Sequence, residues 1–158
     1  MNIPRRTFLK GIVTTGGAMA LGTTVLPPAV MADIADWPQE AFEAKTAEDA
    51  LTALYGEELV ENSAITVNAP IIAENGQVVP IEVTANLEKI ESITIIAEKN
   101  PVPLVAQFNF PDPESAIGWV KTRIKMAETS DVIVVVKADD KFYTAHRNVK
   151  VTIGGCGG

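Results

Sequence analysis

The residues with the clearest chemical potential stand at the end of the sequence, in VTIGGCGG, from Val151 to Gly158. They include the single cysteine, Cys156, which has two glycines on each side: Gly154, Gly155, Gly157 and Gly158. A cysteine thiolate is a nucleophile that forms covalent bonds to other sulfur atoms. Glycine loses more conformational freedom on ordering than any other residue, so four glycines around one thiol indicate a tether and not a packed element.

Three interpretations of this segment have weaknesses that the sequence itself reveals. An unpaired thiol that dimerises by chance is a liability in an exported protein. A redox cysteine normally has a resolving cysteine and a helix N-terminus or cations nearby, and this chain has no second cysteine. The final Gly157-Gly158 resembles the end of ubiquitin-like and thiocarboxylate sulfur carriers. Those carriers need ATP, which would not be available to a protein exported by the N-terminal signal described below, and they have a β-grasp fold that this strand-rich sequence does not match.

The fourth interpretation is a covalent carrier whose thiol visits the active sites of other proteins. Glycine has no Cβ atom, so the segment could enter a narrow channel. The three steps from Ile153 to Cys156 extend about 10 Å at roughly 3.3–3.6 Å per residue. Each partner could supply the cation or metal that generates the thiolate. This interpretation gives every residue of the segment a role.

Composition limits the chemistry of the rest of the chain. Its 158 residues suffice for one domain and carry a formal net charge of −7, from 20 acidic and 13 basic residues. This balance argues against nucleic acid or an anionic membrane surface as a partner, because both bind basic patches. One cysteine and one histidine exclude an intrachain disulfide and a Cys/His zinc cluster, and no C-x-x-C-H motif is present. The sequence therefore predicts no metal and no cofactor.

Residues 1–32 have the organisation of a signal peptide: a short basic start, an apolar stretch and small residues before a cleavage position after Ala32. The apolar stretch is short and glycine-rich for a membrane span, which needs about 20 apolar residues. Arg5 and Arg6, followed by TFLK, resemble the twin-arginine export signal, with Pro4 where Ser or Thr is commoner. The resemblance implies export of a folded protein to the periplasm, with a partner subunit carried along and no membrane anchor after cleavage.

Residues 33–153 are predicted to form one domain, a short helix followed by a β-sandwich, with residues 154–158 as a flexible arm. The helix covers Thr46–Gly56, where Thr46 and Asp49 form an approximate capping box, and Phe42 could belong to a preceding turn of helix. No helical pattern separates the segments that follow, which favours an immunoglobulin-like sandwich of two antiparallel sheets over βαβ units. Seven segments have the composition of strands: AITVNA, QVVPIEVTAN, ESITIIAEK, VPLVAQFNF, IGWVKTRIKMA, DVIVVVKA and KFYTAHRNVKVTI.

Turn residues divide these segments. Asn75-Gly76 and Asp139-Asp140 are predicted hairpin turns. Asp112 and Glu114, in FPDPES, could form a carboxylate pair, but Pro and Asp also favour turns for backbone reasons, and that explanation is simpler. The turns therefore fix the order of the strands and add no site of their own.

Apolar and aromatic residues predict packing surfaces. The segment DVIVVVKA, Asp131–Ala138, is apolar at consecutive positions, which predicts cover on both faces, either within the domain or partly by another protein. Trp37 and Trp119 are predicted to be packing or interface aromatics and not a binding platform.

Basic residues near the arm have simple explanations as well. His146 lies in the last predicted strand, and a lone histidine without an orienting carboxylate is more simply a solvated strand residue than a base for the thiol. Arg147 and Lys150 could steer an anionic group, although ordinary surface charge also explains them. The sequence therefore predicts no catalytic residue.

The combination of GGCGG, a β-rich domain and a twin-arginine signal resembles the SoxY family, the sulfur-carrying subunits of the thiosulfate-oxidising Sox system. The resemblance extends over AFEAKTAEDALTALYG and ENGQVVPIEV, and its most specific part is the terminal pentapeptide. It implies that Cys156 is the carrier cysteine and that the chain forms a heterodimer with SoxZ, a second β-sandwich without its own signal. In the family, a haem enzyme joins thiosulfate to the cysteine oxidatively, and a hydrolase releases the outer sulfone group as sulfate. A sulfur dehydrogenase or sulfur transfer then clears the persulfide.

The sequence thus predicts a periplasmic protein that holds thiosulfate-derived sulfur on Cys156 and presents it to enzymes without catalysing a step itself. The alternative is a non-enzymatic β-sandwich interaction module whose cysteine forms an intermolecular disulfide.

Overall fold

Two short helices precede the strands in the computed structural model, which describes residues 38–56 and 59–154. Helix α1 spans Gln39–Glu43 and helix α2 spans Ala47–Tyr55. Thr46 caps α2, since its hydroxyl accepts a 3.0 Å hydrogen bond from the Asp49 N–H, and Gly56 ends the helix with φ of 74°. The predicted helix and its cap are confirmed. The predicted signal peptide, Trp37 and residues 155–158 lie outside the described residues.

All seven predicted strands are present, and two strands of two residues each accompany them. The nine strands are β1 Val60–Glu61, β2 Ile65–Asn68, β3 Ile72–Ala73, β4 Val79–Ala85, β5 Ile90–Ala97, β6 Leu104–Asn109, β7 Trp119–Ile124, β8 Ser130–Ala138 and β9 Lys141–Val151. One sheet has the order β1-β9-β8-β5-β6, with β3 also paired to β9, and the other has the order β2-β4-β7. The predicted mostly-β architecture of two sheets after a short helical segment is confirmed.

The two sheets enclose one apolar core because alternate residues of their strands point inwards. In β4, for example, Val79, Ile81 and Val83 are buried while Pro80 between them is exposed. These side chains meet buried residues of the larger sheet, among them Ile93, Val134 and Val149.

The helices explain why β8 is apolar at consecutive positions. Its residues Val132, Val134 and Val136 belong to the core between the sheets, whereas Ile133 and Val135 belong to a second cluster that includes Ala41 and Ala50 of the helices. Both faces of β8 are thus covered within the domain. This confirms the first of the two explanations predicted for its composition.

Tyr55, at the end of α2, fixes the helices to the outer face of the larger sheet. Its ring lies 4.9 Å from the ring of Phe142, centroid to centroid, and its hydroxyl donates a hydrogen bond to the Thr94 side chain. Burial raises the pKa of the Tyr55 hydroxyl, and the hydrogen bond to Thr94 offsets this only in part. A buried phenol with a partner is a stable anchor for a short helix.

The two predicted hairpin turns differ in the structure. Asp139 and Asp140 connect β8 to β9 as a two-residue hairpin turn. Their φ angles of 51° and 57° are both positive, as a type I′ turn requires. Asn75-Gly76 is a turn but not a hairpin, because it connects β3 in one sheet to β4 in the other. Asn75 stabilises the turn by accepting a 2.8 Å hydrogen bond from the Gln77 N–H. The hairpin prediction for Asn75-Gly76 is therefore wrong.

The short strands β1 and β3 were not predicted, and both run parallel to β9. Two residues are too few to show the period-two alternation by which strands are recognised. Their pairing extends the sheet beyond β9 at two separate places.

Among the described residues, no helix is both long and apolar enough to cross a membrane.

Candidate functional site

Strand β9 carries the chain towards Cys156 and forms a long antiparallel ladder with β8. The pairing runs from Ser130↔Val149 to Ala138↔Lys141 without a register shift. Cys156 itself lies outside the described residues. The residues that hold the chain immediately before it are 151–154.

Val151 and Thr152 are fixed by hydrogen bonds on both sides of the strand. The Val151 N–H donates to the Thr129 side-chain oxygen at 2.9 Å, and the Thr129 hydroxyl lies 3.3 Å from the Val151 carbonyl oxygen. On the other side, the Thr152 N–H donates to the Ala73 carbonyl at 3.0 Å, and its hydroxyl donates to the Glu74 carbonyl at 2.9 Å. The strand therefore remains attached to its neighbours up to its last residue.

Ile153 continues this attachment through the Asn75-Gly76 turn. Its carbonyl oxygen accepts a 2.8 Å hydrogen bond from the Gly76 N–H. The Gly76 carbonyl in turn accepts a 2.7 Å hydrogen bond from the Met126 N–H, beyond the end of β7. The side chain of Ile153 is 69% exposed. The turn thus connects the end of β9 to the smaller sheet.

Gly154, predicted as the first residue of the arm, lies against the backbone of Ala127. A Cβ atom at Gly154 would stand 2.2 Å from the Ala127 carbonyl oxygen, closer than real Cβ atoms approach an oxygen. Asn100, which is 6% exposed, holds this part of the backbone in place. Its side-chain oxygen accepts from the Ala127 N–H at 2.9 Å, and its amide nitrogen donates to the Lys125 carbonyl at 2.8 Å. Only glycine fits at position 154 in this conformation.

Sequence reasoning missed three contributors to this site: Asn100, Gly76 and Thr129. The Asn-Pro and Asn-Gly pairs at residues 100–101 and 75–76 are recognisable turn signals. Their spatial partners are not visible in the sequence, because each lies in a different strand connection. Asn100 acts through the buried side chain that bridges Lys125 and Ala127.

A surface cavity opens beside Asn100 at the same end of the domain. Its lining is mainly apolar, and it contains two basic side chains and no acidic one: Asn100, Val102, Leu104, Val105, Arg123, Ile124 and Lys125. This cavity is therefore mainly apolar and carries positive charge.

The basic residues of β9 do not form a catalytic group with other described residues. His146 is an exposed residue of the strand, opposite Ile133 of β8, which agrees with a solvated strand residue. Arg147 is half-buried, and its Nε has no hydrogen-bond partner in the part of the chain that the structure describes. Lys150 is exposed. In residues 38–56 and 59–154, no three His, Cys, Asp or Glu side chains are grouped to hold a metal ion.

The acidic turn has a structural role. Asp112 accepts a 2.7 Å hydrogen bond from the Ser115 hydroxyl, and Glu114 lies 3.5 Å from the Lys89 ammonium group. Trp119 is 51% exposed on β7. A hydrogen bond from Lys121, and to a smaller extent one from Trp119, holds the pKa of the Glu82 carboxyl below its usual value. These residues belong to turns and strand surfaces.

The fold and this site define a two-sheet β-sandwich whose last strand is held to its final residues and leads to a glycine-flanked cysteine. A family model described as sulfur oxidation protein SoxY matches residues 51–156, a range that includes Cys156. The chain belongs to the SoxY family.

Solved structures agree with this assignment. The sulfur carrier protein SoxY from Chlorobium limicola f thiosulfatophilum is 40% identical, with a TM-score of 0.60 over 67% of this chain and 96% of that chain. A superoxide reductase (neelaredoxin) from Ignicoccus hospitalis is 16% identical, with a TM-score of 0.49 over 56% of this chain and 80% of that chain, and carries no functional argument. No curated protein sequence matches significantly.

Proposed function

We propose that this protein is a sulfur carrier of thiosulfate oxidation that holds its cargo covalently on Cys156. The observation that carries the proposal is the SoxY family match, which extends to Cys156 itself. The 40% identity to a sulfur carrier protein supports the same role. The fixed end of β9 adds a physical argument, since it gives the cysteine a constant starting point on the surface.

The chemistry follows from the reactivity of the thiolate. Thiosulfate bonds to the Cys156 sulfur when two electrons are removed by a haem enzyme of the system, which gives a cysteine S-thiosulfonate. A hydrolase then adds water, releases sulfate and two protons, and leaves a persulfide on the cysteine. Oxidation by a sulfur dehydrogenase, or transfer of the outer sulfur, regenerates the thiolate. In this scheme the chain presents its cargo, and the partner enzymes break and form the bonds.

The proposed setting is the periplasm, with the twin-arginine segment at Arg5 and Arg6 as the export signal. The proposed constant partner is SoxZ, which would be exported together with this chain. The acidic composition, −7 overall, agrees with a protein partner in preference to nucleic acid.

Intact mass measurement tests the proposal. The protein is purified from the periplasm of thiosulfate-grown cells and measured with and without reductant. Reductant-labile additions of sulfur or thiosulfonate, mapped to the peptide that contains Cys156, are the expected result. A bare thiol or only a protein–protein disulfide during active thiosulfate oxidation would favour the interaction module instead.

The variant Cys156→Ser separates the same two functions in a reconstituted system. A carrier loses all thiosulfate-dependent turnover, because serine forms no sulfur–sulfur bond. An interaction module that binds its partner through the sandwich keeps its partner affinity.

A further inference from the structure

We propose that the exposed apolar side chains around the end of β9 form a docking surface for the enzymes that act on Cys156. This surface, the root surface, consists of Ile72, Val78 and Ile153. The inference rests on the proposed carrier function and adds to it the place where the enzymes bind. It follows from the attachment of Gly154, from the length of chain between Gly154 and Cys156, and from the exposure of the three side chains.

The attachment fixes the point from which the cysteine is reached. Gly154 lies against the Ala127 carbonyl, where a Cβ atom would come within 2.2 Å, and the Gly76 N–H holds the Ile153 carbonyl at 2.8 Å. Two Cα–Cα steps separate Gly154 from Cys156, so their Cα atoms are at most about 7 Å apart, and the sulfur stays within about 10 Å of Gly154.

This short reach determines what an enzyme must cover. A weak, transient protein interface buries up to about 600 Å² on each partner, which corresponds to a disc of up to about 14 Å radius. That radius exceeds the reach of the sulfur. An enzyme that binds the cysteine in a channel below its own surface therefore also contacts the surface around Gly154.

Several exposed apolar side chains lie on the segments next to Gly154, among exposed polar residues such as Glu74 and Thr129. Seven large hydrophobic side chains are exposed among the described residues, and four of them lie on segments that bond to the end of β9 or belong to it: Ile71, Ile72, Val78 and Ile153. Ile72, Val78 and Ile153 are 54%, 55% and 69% exposed. Single exposed hydrophobic residues are ordinary, but a group of them at one end of a domain is typical of a protein contact.

Each of the three has a defined connection to the attachment point. Ile72 pairs with Lys150 of β9. Val78 follows the Asn75-Gly76 turn, and its N–H donates to the Asn75 carbonyl at 3.4 Å. Ile153 directly precedes Gly154. The root surface is therefore arranged around the point where the chain leaves the domain towards Cys156.

The test measures sulfate release by the hydrolase from the loaded carrier, in the complex with its partner subunit. Tetrathionate loads the cysteine: the thiolate attacks a central sulfur of tetrathionate, breaks its S–S bond, releases thiosulfate and keeps the S-thiosulfonate group, so tetrathionate itself is the two-electron oxidant. The variants are Val78→Ser and Ile153→Ser, separately and together. The matched control is Ile117→Ser, because Ile117 is 88% exposed and precedes the start of β7, whereas Met126 and Ala127 follow its end.

The double variant is expected to raise KM for the loaded carrier about tenfold, while kcat, the rate of tetrathionate loading and the association with the partner subunit remain unchanged. The control is expected to behave as the unsubstituted chain. A KM equal to that of the control overturns the docking surface, and so does loss of the partner subunit, which would assign the surface to that subunit. Absence of sulfate release by the hydrolase from the loaded unsubstituted chain, as well as from every variant, overturns the carrier function instead.

Discussion

Substitution of Gly154 by alanine tests the attachment of the chain before Cys156 most directly. The new methyl group would stand 2.2 Å from the Ala127 carbonyl oxygen. An ordinary contact needs at least about 1.3 Å more, because nonbonded heavy atoms are most favourable at roughly 3.5–4.0 Å and repel strongly well inside that distance. Either Ala127 moves or the end of β9 detaches.

Comparison of the two costs decides between these responses. Moving Ala127 strains the two hydrogen bonds of the buried Asn100 side chain, and overpacking of this kind costs typically 1–3 kcal/mol. Detachment of Ile153 loses one hydrogen bond, from the Gly76 N–H, worth about 0.5–1.5 kcal/mol. We therefore expect the end of β9 to detach, with a loss of about 1 kcal/mol in unfolding free energy.

Hydrogen exchange of the Gly76 amide is the assay, because this N–H is the donor that detachment releases. Gly154→Ala is expected to accelerate its exchange about fivefold, which corresponds to about 1 kcal/mol of lost protection, and to raise KM for the hydrolase. The control is Gly118→Ala, where a Cβ atom would also meet a carbonyl oxygen, that of Ala85 at 2.4 Å, near the start of β7. It should lower stability without changing Gly76 exchange. Unchanged Gly76 exchange in Gly154→Ala would refute the reasoning.

Three further predictions concern the framework. Asn100→Ala should lower the unfolding free energy measured by urea denaturation by about 1–3 kcal/mol, because two partly buried backbone groups lose their partner; a loss below 1 kcal/mol would contradict this. Thr46→Ala should cost about 1 kcal/mol by removing the cap of α2, seen as a lower melting temperature, whereas Thr46→Ser should not. The hydrogen bond from Lys137 lowers the pKa of Glu91 in the folded protein. The pair therefore stabilises the fold at pH values above the pKa that Glu91 has in the unfolded chain, and this stabilisation is lost as the pH falls through the lower pKa of the folded protein. Glu91→Gln should flatten this acid dependence in urea titrations, and an unchanged slope would count against it.

Much of the fold could be predicted because its signals are local. Thr46 and Asp49 predict the start of α2 from the sequence, and in the structure the Thr46 hydroxyl accepts the hydrogen bond of the Asp49 N–H at that point. The positive φ angles of Asp139 and Asp140 follow from the shortness of the connection between β8 and β9. The apolar run of β8 indicates cover on both faces, although the covering helices cannot be identified from it.

The environment of the arm could not be predicted, because it depends on contacts between distant segments. Nothing in GGCGG distinguishes Gly154 from Gly155. The difference at Gly154 is the Ala127 carbonyl, whose position depends in turn on the Asn100 side chain. Strand β3 is similarly invisible, since its two residues become a strand only through pairing with β9.

The nine-residue ladder between β8 and β9 has a mechanical consequence. In the proposed function an enzyme holds the cysteine, and as the two proteins move apart the force would act on β9 along the strand axis. The hydrogen bonds of an antiparallel ladder lie perpendicular to that axis, so they share the load and do not open one after another. The bonds of Thr152 and Ile153 to the 73–76 segment lie nearest the pull and would yield first. If the cysteine acts as proposed, the domain would therefore remain folded when force is applied through its C-terminal strand.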